Sequence, residues 1–235
     1  MGTDSPDQGA AKAALKVAAA ERAAELVESG MLVGLGSGST AAAFIKALGR
    51  RVAAGLRVQG LAPSLGSAKL ASACGIPQVT EPDRPLDLAV DGADEIDPRL
   101  NLVKGGGGAL FREKLVALSA RRFIIVADES KLVDRLGRGP VPVEVLPFLW
   151  RQTAARLRGV GATVTLREDA GRPFVTDNGN HILLLGFDGG VADPAAIGAE
   201  LKRVHGVLEH GLFCGMACGA IVAGAGGLRT LGRLD

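Results

Sequence analysis

The chain of 235 residues contains no tyrosine, one tryptophan, three histidines and three cysteines. With aromatic residues at 3%, there is no platform on which nucleic-acid bases would stack, and the interior has to be built from Ala, Val and Leu. An odd number of cysteines makes no disulfide framework, so the three read as thiols suited to a reducing cytoplasm. None of the histidines, His181, His205 and His210, lies near a glycine-rich turn, so no Ser-His-Asp order is convincing. Cys214 and Cys218 with His205 and His210 upstream can be drawn as a metal site. The Gly and Ala around them supply nothing to orient ligands, so they read as small apolar fillers and no metal or organic cofactor is expected. Charge of one sign is missing too. Lys and Arg number 27 against 25 Asp and Glu, a net charge of +2 with no basic stripe, which argues against a nucleic-acid partner. The longest uncharged run, Gly211 to Gly227, falls short of the roughly 20 residues a spanning helix needs and is interrupted by glycine, which argues against a membrane. The first ten residues, MGTDSPDQGA, lack the pattern of a secretory signal, and Pro6 breaks the acylation pattern that Gly2 begins; they read as a loose tail.

What is present is alternation. Residues 10 to 29 read as a helix stopped by Gly30, MLVGLG as a buried strand, and AAAFIKALGR as a helix capped by Ser39 and Thr40. The order continues with LRVQGLA as strand, SLGSAKLASACG as helix, LDLAVDGA as strand, ALFREKLVALSA as helix and RFIIVAD as strand. Strands that are apolar throughout and alternate with helices indicate a parallel, Rossmann-like sheet covered on both faces. Near Pro140, Pro142 and Pro147 the texture changes to helix, strand, turn, strand, helix. The expected organisation is therefore α/β: residues 1–138 with 207–235 form the sheet domain, in which GVLEHGLF and GAIVAGAGG add further strands. Residues 139–206 form an inserted, smaller α+β unit of ferredoxin-like type.

Three glycine- or acid-rich turns carry candidate chemistry. GLGSGST, residues 34 to 40, has the composition of a phosphate cradle, with Ser37, Ser39 and Thr40 adding hydroxyls at a helix N-terminus. A dinucleotide reading of the same glycines wants an acid about 20 residues on. No Asp or Glu occurs between Thr40 and Thr80, although Arg50, Arg51 or Arg57 would still suit a 2′-phosphate. DGADEID places Asp91, Asp94, Glu95 and Asp97 beyond the end of a buried strand, where ligands bind in open α/β sheets. Such acids repel one another unless a cation or a hydroxylated ligand sits among them, and a polyol fits because carboxylates accept from several hydroxyls. KGGGGALFREK, residues 104 to 114, lets bare amides wrap a ligand oxygen beside the Lys104 charge. Glu113 follows on a helix, with Arg112 and Lys114 pointing roughly 100° to either side of it.

Together with ADESK, PVEVLPF, VTDNGN and GLFCGMA, in this order, these motifs resemble the type A ribose-5-phosphate isomerases over nearly the whole chain after the first ten or so residues. The resemblance implies interconversion of ribose 5-phosphate and ribulose 5-phosphate without metal or organic cofactor, in a homodimer or homotetramer. It implies that Ser37, Gly38, Ser39 and Thr40 hold the phosphate with Lys16 assisting. Asp91, Gly92, Ala93, Asp94 and Lys104, Gly105, Gly106, Gly107 hold the sugar, and Lys131 touches the substrate. Glu113 is the implied proton-transferring base, with Asp91 and Lys104 as the other catalytic groups. Gly108 is a fourth glycine where some members have alanine, expected only to loosen the loop. The chemistry of the residues agrees. Ring opening moves a proton between sugar oxygens, for which Asp91 is placed; a carboxylate then takes the C2 proton and returns it at C1, and a dry pocket makes a carboxylate a better base. The competing class is a sugar-phosphate sensor domain. It is disfavoured because only one helix precedes MLVGLG, too little for a helix-turn-helix. A sugar-phosphate deaminase or related isomerase is the other alternative.

Overall fold

A computed structural model describes residues 6–235, with side chains described from Ala14 onward. The chain divides into two compact units: the chain up to Gly92 with Val116–Lys131 and Ala217–Asp235, and Ala93–Leu115 with Leu132–Met216.

The first unit is built on a six-stranded sheet in the order Gly227–Gly232, Gly219–Gly224, Phe123–Asp128, Leu88–Asp91, Leu32–Leu35, Gln59–Leu61. All neighbours pair in parallel except the edge strand Gly227–Gly232, which turns back on Gly219–Gly224. The inner strands Leu32–Leu35, Leu88–Asp91 and Phe123–Asp128 are buried at every position, as strands covered on both faces must be. Helices Pro6–Glu25, Gly38–Ala53 and Leu65–Ala73 contribute the cover. The core is mostly aliphatic: Ala19, Ala20 and Ala23 are wholly buried and let helix Pro6–Glu25 approach closely, and Phe44 adds an aromatic ring. Strand Leu32–Leu35 has Gln59–Leu61 on one side and Leu88–Asp91 on the other. Strand order reverses there, which opens a crevice at the carboxyl ends of Leu32–Leu35 and Leu88–Asp91.

The second unit holds a four-stranded antiparallel sheet in the order Val207–His210, Val141–Val145, His181–Gly186, Thr163–Leu166. Helices Trp150–Arg158 and Pro194–Arg203 complete the β-α-β-β-α-β sequence of a ferredoxin-like fold. Asp193 caps the second helix by accepting the Ala195 and Ala196 amides at 3.1 and 3.0 Å. Short strands Glu95–Ile96, Leu102–Val103 and Leu212–Phe213 pair into a separate three-stranded sheet.

Four details differ from the sequence reading. The second unit is wider than residues 139–206, because the short strands at 95–103 and 212–213 pair with one another instead of extending the parallel sheet. Val207–His210 likewise joins the antiparallel sheet, leaving only Gly219–Gly232 to return to the first. The first helix runs Pro6–Glu25, so it starts inside the segment taken as a tail, the rest of which lies outside the described residues, and it ends four residues earlier than expected. The second helix begins at Gly38 with Ser37 at the cap position, not Ser39 or Thr40, and Ser37 makes no capping bond.

Candidate active site

In the first unit, the turn after Leu32–Leu35 is fastened to the end of Leu88–Asp91. Asp91 is buried, and its Oδ1 accepts the Ser37 amide at 3.1 Å and the Gly92 amide at 2.7 Å. The approach leaves no room for a side chain at Gly36, where an added Cβ would lie 2.1 Å from Asp91 Oδ1. The Ser37 hydroxyl donates to Ser64 Oγ at 3.0 Å, and Ser67 Oγ donates to the Gly36 carbonyl at 2.7 Å. Gly38 and Ser39 remain exposed at the first turn of a 16-residue helix. Lys16 Nζ donates to Ser39 Oγ at 3.1 Å, and Thr40 lies against Gly92. A helix N-terminus, hydroxyls and an ammonium thus meet at the strand switch point, an arrangement that suits a phosphate. Lys131 ends the single turn Glu129–Lys131 after strand Phe123–Asp128, also at a carboxyl end.

In the second unit, Lys104 Nζ stands 3.2 Å from Glu113 Oε2, with both side chains about 5% exposed or less. Lys104 follows strand Leu102–Val103 and Glu113 lies in the first turn of helix Leu110–Leu118. The glycine run between them does the joining. Gly106 N–H donates to Asp94 Oδ2 at 2.8 Å, which ties the run to the acidic turn, and Gly107 faces open space. Gly108 has φ +88°, and an added Cβ there would lie 2.5 Å from the Phe174 ring. The fourth glycine is therefore demanded by the backbone and by Phe174, and its part is larger than loosening the loop.

Backbone amides already occupy some of the acids of DGADEID. Glu95 accepts Gly137 N–H at 2.7 Å and Gly139 N–H at 2.6 Å. Asp97 Oδ1 accepts the Arg99 and Asn101 amides at 2.9 and 2.8 Å.

Several residues that hold the site were not visible as such in the sequence. Ser64 and Ser67 buttress the phosphate-type loop; serines at a helix start carry a capping signal, but nothing in their spacing pairs them with Ser37. Lys114, read as one side of a charged triplet, is buried: its Nζ donates to Glu209 Oε1 at 2.7 Å and to the His210 carbonyl at 2.6 Å, and lies 4.8 Å from the centre of the Phe213 ring. Lys104 lies over the same ring at 5.5 Å. Burial lowers the Lys114 pKa, whereas Glu209 is held below the usual carboxylate range by Lys114 against the opposing effect of its own burial. Glu144, wholly buried, accepts Thr176, Asn178 and Asn180 side chains at 3.0, 3.0 and 2.8 Å, and Asn178 Oδ1 accepts Arg112 Nε at 2.6 Å. The PVEVLPF and VTDNGN motifs therefore support the residue beside Glu113. Cys214 and Cys218 are thiols, and no group of three or more metal-ligating side chains occurs among the described residues. Among the described residues, no helix is long and apolar enough to cross a membrane.

An oxyanion cradle at the switch point of a Rossmann-like sheet, and a carboxylate–lysine pair kept from water beside a glycine run, define a class: α/β enzymes that move protons on phosphorylated substrates. Comparison with known proteins is more specific. The family model for ribose 5-phosphate isomerase A (phosphoriboisomerase A) matches residues 59–227. Ribose-5-phosphate isomerase A of Thermomicrobium roseum is 52% identical over 223 residues, 93% of either chain. That of Gloeobacter violaceus is 50% identical over 92% of this chain and 95% of its own. Among solved structures, the Methanocaldococcus jannaschii isomerase superposes with a TM-score of 0.89 at 39% identity, covering 94% of this chain and 99% of that one. A D-ribose-5-phosphate isomerase in complex with phospho-erythronic acid superposes with a TM-score of 0.90 at 40% identity, covering 94% and 98%. The chain belongs to the ribose 5-phosphate isomerase A family.

Proposed function

We propose that the chain interconverts ribose 5-phosphate and ribulose 5-phosphate through an enediolate, with Glu113 as the base. The observation that carries this is the buried Lys104–Glu113 pair, 3.2 Å apart beside exposed glycine amides. A carboxylate in such surroundings takes a proton from carbon only if the resulting oxyanion is held, and Lys104 with the amides of Gly105 and Gly107 supplies that, the Gly106 amide being held by Asp94. The phosphate goes to Ser37, Gly38, Ser39 and Thr40, with Lys16 and Lys131 adding charge. Asp91, anchored through Oδ1, relays the ring-opening proton, and Gly92, Ala93 and Asp94 bind the sugar hydroxyls.

The steps follow in order. Asp91 moves a proton from O1 to the ring oxygen as the ring opens; Glu113 takes the C2 proton as electrons pass to the carbonyl oxygen O1; the O2 hydroxyl proton passes to O1, and Glu113, whose carboxyl proton exchanges with water, delivers a proton to C1 as the carbonyl forms at C2. No redox group enters, because the oxidation at C2 balances the reduction at C1. The related structure with phospho-erythronic acid fits this reading, since a hydroxylated carboxylate with a phosphate shares the charge distribution of the enediolate. A sensor that binds without turnover is not favoured by the family match.

Assay with ribose 5-phosphate in deuterium oxide tests the proposal. Product should form, with solvent deuterium entering at C1. Absence of turnover would sink it. We also propose a cytoplasmic homodimer or homotetramer, to be checked by sedimentation.

A further inference from the structure

The two cations that flank Glu113 on helix Leu110–Leu118 are both tethered, and to neighbouring strands of one sheet. Arg112 Nε donates to Asn178 Oδ1 at 2.6 Å, and Asn178 Nδ2 donates in turn to Glu144 Oε1 at 3.0 Å. Lys114 Nζ donates to Glu209 Oε1 at 2.7 Å. Glu144 and Glu209 are register partners on the antiparallel strands Val141–Val145 and Val207–His210, so the two tethers end on carboxylates that stand opposite each other.

That pairing is costly for the sheet. Both carboxylates are buried, Glu144 wholly, and like charges facing each other across two strands are destabilising. Each is compensated by donors from outside the strand pair: Thr176, Asn178 and Asn180 at Glu144, and Lys114 with Lys202 at Glu209. Well-packed apolar residues at these two positions would hold the sheet at least as well, so the acids gain their worth from what they hold in place. Residues 112 and 114 project roughly 100° to either side of Glu113, and a tether on each stops the helix start from rolling and turning Glu113 away. The Lys114 tether also reaches the partner of Glu113. Lys114 Nζ donates to the His210 carbonyl at 2.6 Å, and the next carbonyl, that of Gly211, accepts the Lys104 amide at 2.8 Å. Gly211 has no room for a side chain, since an added Cβ would lie 2.2 Å from the Lys104 carbonyl oxygen. One lysine thus joins the helix that carries Glu113 to the segment that seats Lys104.

We infer that Arg112 and Lys114 are positioning residues for the isomerisation, clamping the helix start to the Glu144–Glu209 pair and so setting Glu113 against Lys104 and the reacting carbon. This rests on the reading of Glu113 as the base. A misplacement of about 1 Å at a reacting group can cost about 10²-fold in rate, so the clamp acts on kcat and leaves KM to the phosphate contacts.

Kinetics and urea midpoints of two variants test this. Asn178→Ala cuts the Arg112 tether at an exposed turn residue and leaves Glu144 two other donors. Lys114→Met combined with Glu209→Gln removes the other tether without leaving a buried charge unpaired, and the glutamine still offers an acceptor to the His210 amide. Both should keep urea midpoints near that of the wild type and KM within about threefold of it, while kcat falls about tenfold in the first and at least about thirtyfold in the second. Asn178→Ala should add little to Glu113→Gln, because a clamp that acts through Glu113 then has nothing to position, whereas a general loss of folded enzyme would multiply the two effects. The proposal is overturned if either folded variant keeps the wild-type kcat, or if Asn178→Ala slows Glu113→Gln as much as it slows the wild type. Should the double variant not fold, Asn178→Ala decides alone. Turnover of ribose 5-phosphate by the wild type is measured alongside: its absence removes the isomerase reading and this one with it, whereas normal turnover in wild type and variants alike removes only this one.

Discussion

Lys104 Nζ and Glu113 Oε2 lie 3.2 Å apart, both shielded from water, at the two ends of one glycine run. The run is short enough to bring strand end and helix start together; its Gly106 amide donates to Asp94 and its Gly108 amide to the Gly105 carbonyl. Charge pairing at this depth has two consequences that are separable by experiment.

Replacing Glu113 by Gln keeps shape and hydrogen-bonding reach but removes the proton acceptor. Loss of a general base costs typically 10²- to 10⁴-fold, and here one group serves both halves of the transfer, so kcat is expected to fall at least about a thousandfold. KM should stay within roughly tenfold, because the phosphate contacts persist. Exchange of the C2 hydrogen should vanish in step with turnover. Near-normal turnover would exclude Glu113 as the base and move attention to Asp91 and Asp94, since both Glu95 oxygens already accept backbone amides.

Removing the cation instead acts on folding as well. Lys104→Met leaves Glu113 buried without its 3.2 Å partner, and breaking a buried pair from one side costs about 3–5 kcal/mol. The variant should lose both activity and denaturant stability, whereas Lys104→Met with Glu113→Leu should recover much of the stability and none of the activity. Urea midpoints of the two variants decide this. Equal instability in single and double variants would mean that packing against Phe213, and not charge pairing, sets the stability of this corner.

Thr40 stands at the phosphate-type loop, whose contacts exist in the ground and transition states alike and so act on binding. Thr40→Val should raise KM several-fold more than it lowers kcat. A pure kcat effect would show that the loop works on the chemistry and does not simply hold the phosphate.

How much of this was legible beforehand depended on the range of the interaction. The alternation of apolar strands with helices announced the parallel sheet, and the glycine turns marked both clusters, because turn chemistry is written in a few adjacent residues. The role of Lys16 beside Ser39 came from the family resemblance, since spacing alone would not pair residues 23 apart, whereas Lys104 and Glu113 stood out within one motif. The burial of Lys114 was not legible because its partners, Glu209 and His210, lie 95 and 96 residues away, and a charged residue in a helix carries no mark of burial. The wider second unit was missed for a related reason. Strands of two residues, such as Leu102–Val103, are too short to show a period.

Gly108 and Gly36 separate two uses of glycine. Gly108→Ala meets both a positive φ of +88° and the Phe174 ring 2.5 Å from the new methyl group, so a loss of about 1–3 kcal/mol is expected, with a displaced loop and a reduced kcat. Gly36→Ala would push Asp91 off the Ser37 amide and so disturb both the phosphate-type loop and the ring-opening group, raising KM and lowering kcat. Parallel urea and kinetic measurements check both. If Gly108→Ala is as stable and active as the wild type, the strain is absorbed by movement of Phe174.

The buried network around Lys114 predicts how stability responds to acid. His210 Nδ1 accepts the Leu212 amide at 3.2 Å and lies 3.3 Å from Lys114 Nζ, so a proton there would face two donors. Burial and then the Lys114 charge push the His210 pKa from 6.5 down to about 4, with Lys202 acting in the same direction and Glu209 against it. A folded-state pKa below the unfolded value means that the unfolded chain binds more protons between the two. Stability is therefore fully present above about pH 6.5 and falls as pH drops toward 4. The slope should approach about 1.4 kcal/mol per pH unit from this one residue. Glu209, also depressed, adds a loss of the same sign at lower pH, where its own carboxylate becomes protonated. His210→Gln retains an acceptor for the Leu212 amide and does not titrate, so its urea midpoint should be nearly level between pH 6.5 and 5, where the wild type already declines. A wild-type midpoint that is level over that interval, or a His210→Gln variant that declines just as steeply, would show that His210 is not held neutral by Lys114 and its own burial.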